Sequence, residues 1–104
     1  MKYDYTGTLK ILVDKALNGD PADVDDIMSE LTYEADLVMT RKIDFALSLV
    51  TTDRGIERIK HYLFNGTLIQ RNYACLYLNR IDEWEPVKEA FKQGLIDEIQ
   101  AYAR

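Results

Sequence analysis

The chain has 104 residues, of which 47% are apolar and 30% are charged, and this composition is typical of a single soluble globular domain. Its net charge of −5 argues against general nucleic-acid binding, because such binding depends on neutralising phosphates. A single cysteine permits no disulfide within the chain, and no apolar run approaches the roughly 18 residues of a membrane span. We therefore expect a cytoplasmic protein without a membrane segment.

The first helix is predicted from Thr8 to Asn18, where apolar residues recur every three or four positions. Gly19 can supply the left-handed residue that ends this helix. Tyr3 and Tyr5 precede it and could fold back over its apolar face.

The second helix is predicted to begin at Asp20-Pro21, with the aspartate as N-cap and the proline at the first helical position. The aspartates at its start are Asp20, Asp23, Asp25 and Asp26. This acidic run invites a metal interpretation, but it lacks the central glycine and the terminal glutamate of a calcium loop. The helix dipole favours acidic residues in a first turn. We therefore predict no metal site.

The third helix is predicted to be capped by Thr32 and to continue to Val50. Nothing between Tyr33 and Thr51 breaks it, since this stretch contains no glycine or proline. Apolar residues occupy most of its circumference, as in a buried helix. We therefore expect it to be the central element against which the other helices pack.

The fourth and fifth helices are bounded by capping signals. Asp53 is predicted to cap the fourth helix, and Asn65-Gly66 to end it. Thr67 and Gln70 then form a capping box, in which each side chain bonds the backbone amide of the other residue. The fifth helix is therefore predicted to start directly after Thr67.

The sixth helix is predicted to open at Asp82, which resembles the start of another capping box with Glu85, and to end at Gly94. A last helix is indicated by the apolar residues Leu95, Ile96, Ile99, Tyr102 and Ala103. No segment alternates apolar and polar residues over more than a few positions, so no strand is predicted. The predicted fold class is all-α, with six or seven helices in one domain over residues 1–104.

Two segments can be aligned at an offset of 28 residues. The matched pairs are Phe45 with Tyr73, Ala46 with Ala74, Val50 with Leu78, Glu57 with Glu85, Ile59 with Val87, Lys60 with Lys88, and Gly66 with Gly94. Similar helical hairpins at a fixed period are typical of stacked-repeat proteins. Ala74 is therefore expected to be buried at a helix crossing.

The segment 67–94 also has a recognisable order of residues: Gln70-Arg71, Ala74, Leu78-Asn79-Arg80-Ile81-Asp82, Val87, Ala90-Phe91 and Gly94. This order resembles the short HEAT-like repeat found in phycobilin-lyase-type and many bacterial scaffold proteins, and residues 43–66 match it weakly. The two helical-hairpin repeats are then predicted at residues 41–66 and 67–94. The resemblance implies a fragment of an α-α superhelix that presents a surface. Residues 1–40 and 95–104 would then be the capping helices at its two ends. It carries over no catalytic residues.

Two surfaces contain the candidate partner-contact residues. On the fourth helix, Phe64 lies on a polar arc, where its ring is either packed internally or a contact anchor. The other residues of this arc are Glu57, Lys60 and His61. A narrow stripe of the fifth helix contains Arg71, Asn72, Cys75 and Asn79. This stripe is a polar groove with a thiol, a solvated surface, or a repeat-to-repeat seam in which the small Cys75 permits close approach.

The leading hypothesis for function is a protein–protein interaction module, whose partner could be another copy of the chain. No motif supports a nucleophilic pair of His61 and Cys75, so we predict no enzyme and no cofactor. The alternative is a nucleic-acid or phosphate-ligand binder, because residues 41–80 hold seven Lys and Arg against three Asp and Glu. Its candidate residues are Arg54, Arg58, Lys60, His61, Arg71 and Arg80. A thiol-based sensor built on Cys75 is a distant third.

Overall fold

The computed structural model describes residues 6–104, and within that range it contains seven helices and no strand. The helices are α1 (Gly7–Asn18), α2 (Pro21–Ser29), α3 (Leu37–Ser48), α4 (Asp53–Asn65), α5 (Leu68–Arg80), α6 (Trp84–Lys92) and α7 (Glu98–Tyr102). The predicted all-α fold class is confirmed. Tyr3 and Tyr5, which were expected to cover the first helix, lie outside the described residues.

The helices pack as two compact units, a first that ends at Ile56 and a second from Glu57 to Arg104. We call them unit 1 and unit 2. The boundary falls inside α4 and therefore divides the predicted hairpin of residues 41–66. The relation of this hairpin to residues 67–94 as a repeat stays a prediction.

The third helix is shorter than predicted, since it begins at Leu37 and not after Thr32. Asp36 is its N-cap, and the Asp36 carboxylate accepts a hydrogen bond of 2.8 Å from the Met39 amide. Aspartate satisfies a first-turn amide at least as well as threonine does. The backbone at Thr32 instead forms a turn, in which its carbonyl accepts from the Ala35 amide.

The expectation that this third helix is buried all round is also wrong. One face of α3 is buried, and the apolar residues Leu37, Val38 and Phe45 on the remainder are exposed. Unit 1 is a three-helix arrangement in which α1, α2 and α3 all contact one another. Its core is built from the buried faces of these helices: Leu12, Val13, Ala16, Val24, Ile27, Met28, Ile43, Ala46 and Leu47.

The turn between α1 and α2 is fixed by a close contact with the start of α4. Thr52 Oγ1 donates to the Gly19 carbonyl at 2.6 Å and accepts from the Gly55 amide at 3.0 Å. Gly19 has a φ of 71° and ends α1 as predicted, and a Cβ there would lie 2.6 Å from Thr52 Oγ1. A Cβ at Gly55 would lie 2.9 Å from the Gly19 carbonyl oxygen. Glycine is therefore required at both positions.

In unit 2, α5 packs against α6 and α7, and α6 also contacts α7. The capping box of Thr67 and Gln70 forms as predicted, with hydrogen bonds of 2.9 and 3.3 Å. Ala74 is fully buried, as expected, and so are Cys75 and Leu78. Because buried residues cover a wide arc of α5, this helix is the most enclosed element of unit 2.

The turn from α5 to α6 differs from the prediction that Asp82 opens the sixth helix. Asp82 has a left-handed φ of 61°, and its amide donates to the Asn79 carbonyl. The next amide, of Glu83, donates to the Leu78 carbonyl at 2.8 Å. These two bonds are the Schellman pattern that ends a helix. Asp82 therefore terminates α5, and α6 begins at Trp84.

Candidate functional site

A concavity with a volume of about 350 Å³ lies between α6 and α7 in unit 2. Three aromatic side chains border it, those of Trp84, Phe91 and Tyr102. Asn79, Val87 and Ala101, which are buried or half-buried, also line it, and Lys88 and Arg104 supply the charged groups of its lining. We call these eight residues the aromatic groove.

Helical spacing explains why α6 contributes two rings and a cation to one face. Trp84, Lys88 and Phe91 are separated by four and three residues, so their side chains lie side by side along the helix. The buried residues of α6, Val87 and Ala90, lie on the adjoining face of the helix. Trp84 and Phe91 remain 51% and 47% exposed, and Tyr102 of α7 is 80% exposed. Aromatic rings gathered around a concave surface are the typical anchors of a binding interface.

Both cations of the groove form ion pairs with carboxylates that do not line it. Lys88 Nζ lies 3.5 Å from a Glu85 oxygen, and Arg104 donates to Asp82 at 3.0 Å. All four side chains are more than half exposed. Exposed pairs of this kind contribute only about 0–1 kcal/mol, so either cation can exchange its carboxylate for that of a ligand.

The position of α7, and with it one side of the groove, depends on two buried polar side chains of α5. The Asn79 amide donates to the carbonyls of Ala101 at 3.0 Å and Ala103 at 2.7 Å. The Cys75 thiol donates to the Gln100 carbonyl at 2.9 Å. Burial raises the pKa of Cys75 to about 11, so its sulfur stays protonated near neutral pH.

This arrangement corrects the expectation that Cys75 and Asn79 are partner contacts on a polar stripe. Cys75 is fully buried, and the amide of Asn79 is directed to α7. At these two positions the stripe is a packed seam, but it is formed with α7 and not between the two predicted repeats. The other two members, Arg71 and Asn72, are half-buried, and Arg71 Nε is buried without a hydrogen-bond partner.

The predicted arc on α4 lies at least partly on the surface. Lys60 Nζ is 3.0 Å from Glu57 and 3.4 Å from Glu83, and the hydrogen bond to Glu57 contributes most to raising its pKa. His61 is exposed, and its ring lies within 3.3 Å of the Asn65 amide. Phe64 is half-buried, so its side chain is neither fully packed inside the protein nor fully exposed as a contact anchor. The hydrogen bond of the His61 ring is to Asn65, and that of the Cys75 thiol is to the Gln100 carbonyl.

Two cations of the basic central segment are paired with carboxylates. Arg54 pairs with Asp20 at 2.7 Å, Lys60 bonds two glutamates, and the Arg58 guanidinium lies 5.7 Å from the centre of the Tyr62 ring. Among residues 6–104, no group of three or more His, Cys, Asp or Glu side chains is arranged to hold a metal. None of the helices described here is both long and apolar enough to cross a bilayer.

Comparison with protein-family models, curated proteins and solved structures finds no match for the chain. The site is therefore interpreted from its own residues. Sequence reasoning missed the aromatic groove, although the spacing of Trp84, Lys88 and Phe91 was a signal for it. That signal was obscured because the sixth helix was expected to start at Asp82, and because Tyr102 and Arg104 come from a different helix and its C-terminal flank.

Proposed function

We propose that the protein is a small helical interaction module that binds a protein partner through the aromatic groove of unit 2. The observation that carries the proposal is the grouping of Trp84, Phe91 and Tyr102, each about half-exposed or more, around one concavity. Tryptophan and tyrosine are the residues most enriched among interface hot spots. As part of the same proposal, the protein works in the cytoplasm without catalysis or a cofactor.

The exposed ring area supplies a reasonable driving force. A fully buried aromatic side chain removes about 150–250 Å² from water, so covering the exposed halves of Trp84 and Phe91 gives roughly 2–3 kcal/mol each. Association costs at least about 4 kcal/mol in lost freedom of motion. The groove alone therefore supports weak binding, and a firm complex needs further contacts around it.

The predicted arc of Phe64, His61, Lys60 and Glu57 supplies a second candidate surface in unit 2. If the repeat relation between residues 41–66 and 67–94 holds, this arc and the exposed face of α6 are corresponding surfaces of successive hairpins. Nucleic-acid or phosphate binding through residues 41–80 is the less favoured function, because the chain has a net charge of −5 and such binding depends on neutralising phosphates.

Site-specific photo-crosslinking in the native host tests the proposal. A photoreactive phenylalanine analogue is placed at Phe91 in the groove or at Phe45 in unit 1. Phe45 is a matched control, since it is also a helical phenylalanine and is 41% exposed. We expect a discrete crosslinked protein from the Phe91 position and not from the Phe45 position. Equal crosslinking from both, or none from the Phe91 position, would contradict the proposal.

A further inference from the structure

We infer that the aromatic groove binds an acidic peptide segment that carries a large apolar side chain. This inference rests on the proposed function and adds the chemistry of the partner. It follows from the size of the groove, the nature of its lining and the sign of its charges.

The size of the groove favours a side chain of an extended segment over a larger ligand. Its volume of about 350 Å³ is at the lower end of the roughly 300–1,000 Å³ found for ligand pockets. That space accommodates one or two large side chains. The surrounding rings of Trp84, Phe91 and Tyr102 match an aromatic or branched aliphatic residue.

The charges of the groove favour carboxylates next to that apolar residue. Among the described residues that line it, the charged ones are Lys88 and Arg104, and both are cations. The chain as a whole carries −5, whereas the charged side chains of the groove lining are two cations, each paired with an exposed carboxylate outside the lining. The Arg104 guanidinium can bind a carboxylate through two parallel hydrogen bonds, which a lysine cannot do.

The ion pairs that Lys88 and Arg104 already form weaken their attraction for a ligand carboxylate but do not abolish it. Asp82 and Glu85 are both exposed, and each can turn to solvent when a ligand carboxylate takes its place. Their negative charges still lie near the groove, within the roughly 8 Å over which charges act at physiological salt. We therefore expect moderate affinity that falls as the salt concentration rises.

A peptide-display selection on the full-length protein provides the probe. A random peptide library is selected on the wild-type protein and counter-screened against Phe91→Ala. The enriched peptides are then synthesised together with versions in which each Asp or Glu is replaced by Lys. Trp84 is the only tryptophan of the chain and borders the groove, so its fluorescence reports binding directly.

Charge reversal on α6 identifies the recognising group. Lys88→Glu is compared with Lys92→Glu, an exposed lysine on the same helix that does not line the groove. We expect the selection to yield acidic peptides that contain an aromatic or aliphatic anchor. Compared with the wild-type protein, Lys88→Glu should bind these peptides about tenfold more weakly, and Lys92→Glu should bind them equally well. The lysine-substituted peptides are expected to show the opposite preference. Circular dichroism checks that the variants are folded.

The outcomes separate the inference from the proposed function. Binders that depend on Phe91 but show no acidic preference, or no sensitivity to Lys88→Glu, overturn the inference and leave the interaction function in place. If the selection yields no peptide whose binding depends on Phe91, the inference is overturned. The proposed function is then tested only by comparing crosslinking from positions 91 and 45. If the chain itself competes for the groove and forms dimers, the partner is a second copy, which also overturns the inference.

Discussion

Asn79→Ala tests whether one buried amide holds the groove together. In the wild-type protein, the Asn79 side chain donates two hydrogen bonds to backbone carbonyls at the C-terminal end of α7. Helix α7 has no fully buried residue of its own, so little apolar burial holds it in place. Removing both donors should therefore release α7 and, with it, the Tyr102 and Arg104 side of the groove.

The size of the effect follows from the bonds that are lost. Each hydrogen bond contributes about 1 kcal/mol net, so the opening of α7 should become easier by about 2 kcal/mol. This corresponds to a change of about 30-fold in the opening equilibrium. The cost should not be larger, because the freed carbonyls of Ala101 and Ala103 belong to half-buried residues and can bond water once α7 moves away.

Hydrogen exchange measures this opening locally. The Ala101 amide donates to the Asp97 carbonyl within α7, and its protection should fall by about 30-fold in Asn79→Ala. Labelling of Cys75, whose thiol is bonded to Gln100 beneath α7, should accelerate in parallel. Asn72→Ala removes the same side chain from a half-buried position of α5 and should change neither rate. Unchanged protection of Ala101 in Asn79→Ala would refute the reasoning.

Three further predictions concern stability. Burial raises the pKa of Cys75 from 9.0 to about 11 and that of Tyr77 from 10.0 to about 12, so the folded state holds both protons more tightly. The free energy of unfolding should therefore be constant up to about pH 8 and fall as the pH rises from about 9 to about 12, as urea titrations can show. A free energy of unfolding that rises over this range would contradict the assignment. Ala74→Leu should lower the free energy of unfolding by roughly 1–3 kcal/mol through overpacking, and an unchanged urea midpoint would exclude a tight helix crossing at Ala74. Because part of the Phe64 ring is buried, Phe64→Ala should cost roughly 1–2 kcal/mol of stability; loss of partner binding at an unchanged midpoint would instead identify Phe64 as a contact anchor.

Local signals in the sequence predicted most of the helix boundaries, because capping chemistry acts over a few residues. Thr67 with Gln70, Gly19 and Gly94 each have the predicted role. The errors arose where two adjacent signals compete. Thr32 and Asp36 can both cap a helix, and Asp82 can either start a helix or end the preceding one. The choice depends on which backbone groups the folded chain leaves unpaired, and sequence spacing does not contain that information.

The candidate site was less predictable than the fold because it depends on tertiary contacts. Counting apolar residues suggested that α3 is buried all round, whereas a small unit has too little interior to enclose Leu37, Val38 and Phe45. The groove combines α6 with Tyr102 and Arg104, and their placement depends on Asn79. From the sequence, Asn79 is a candidate partner contact on a stripe that could equally be a seam. The sequence does not decide between them, since a polar side chain that bonds the carbonyls of a distant segment leaves no local pattern.

The most direct test of the account is the affinity of the crosslinked partner for two alanine variants. Titration calorimetry with the purified partner compares Phe91→Ala with Phe45→Ala, both shown by circular dichroism to be folded under the conditions of the titration. If the aromatic groove is the binding site, Phe91→Ala should cost about 2 kcal/mol of binding free energy, or about 30-fold in Kd, and Phe45→Ala should leave Kd unchanged. Full affinity in Phe91→Ala, or an equal loss in both variants, would contradict the central claim.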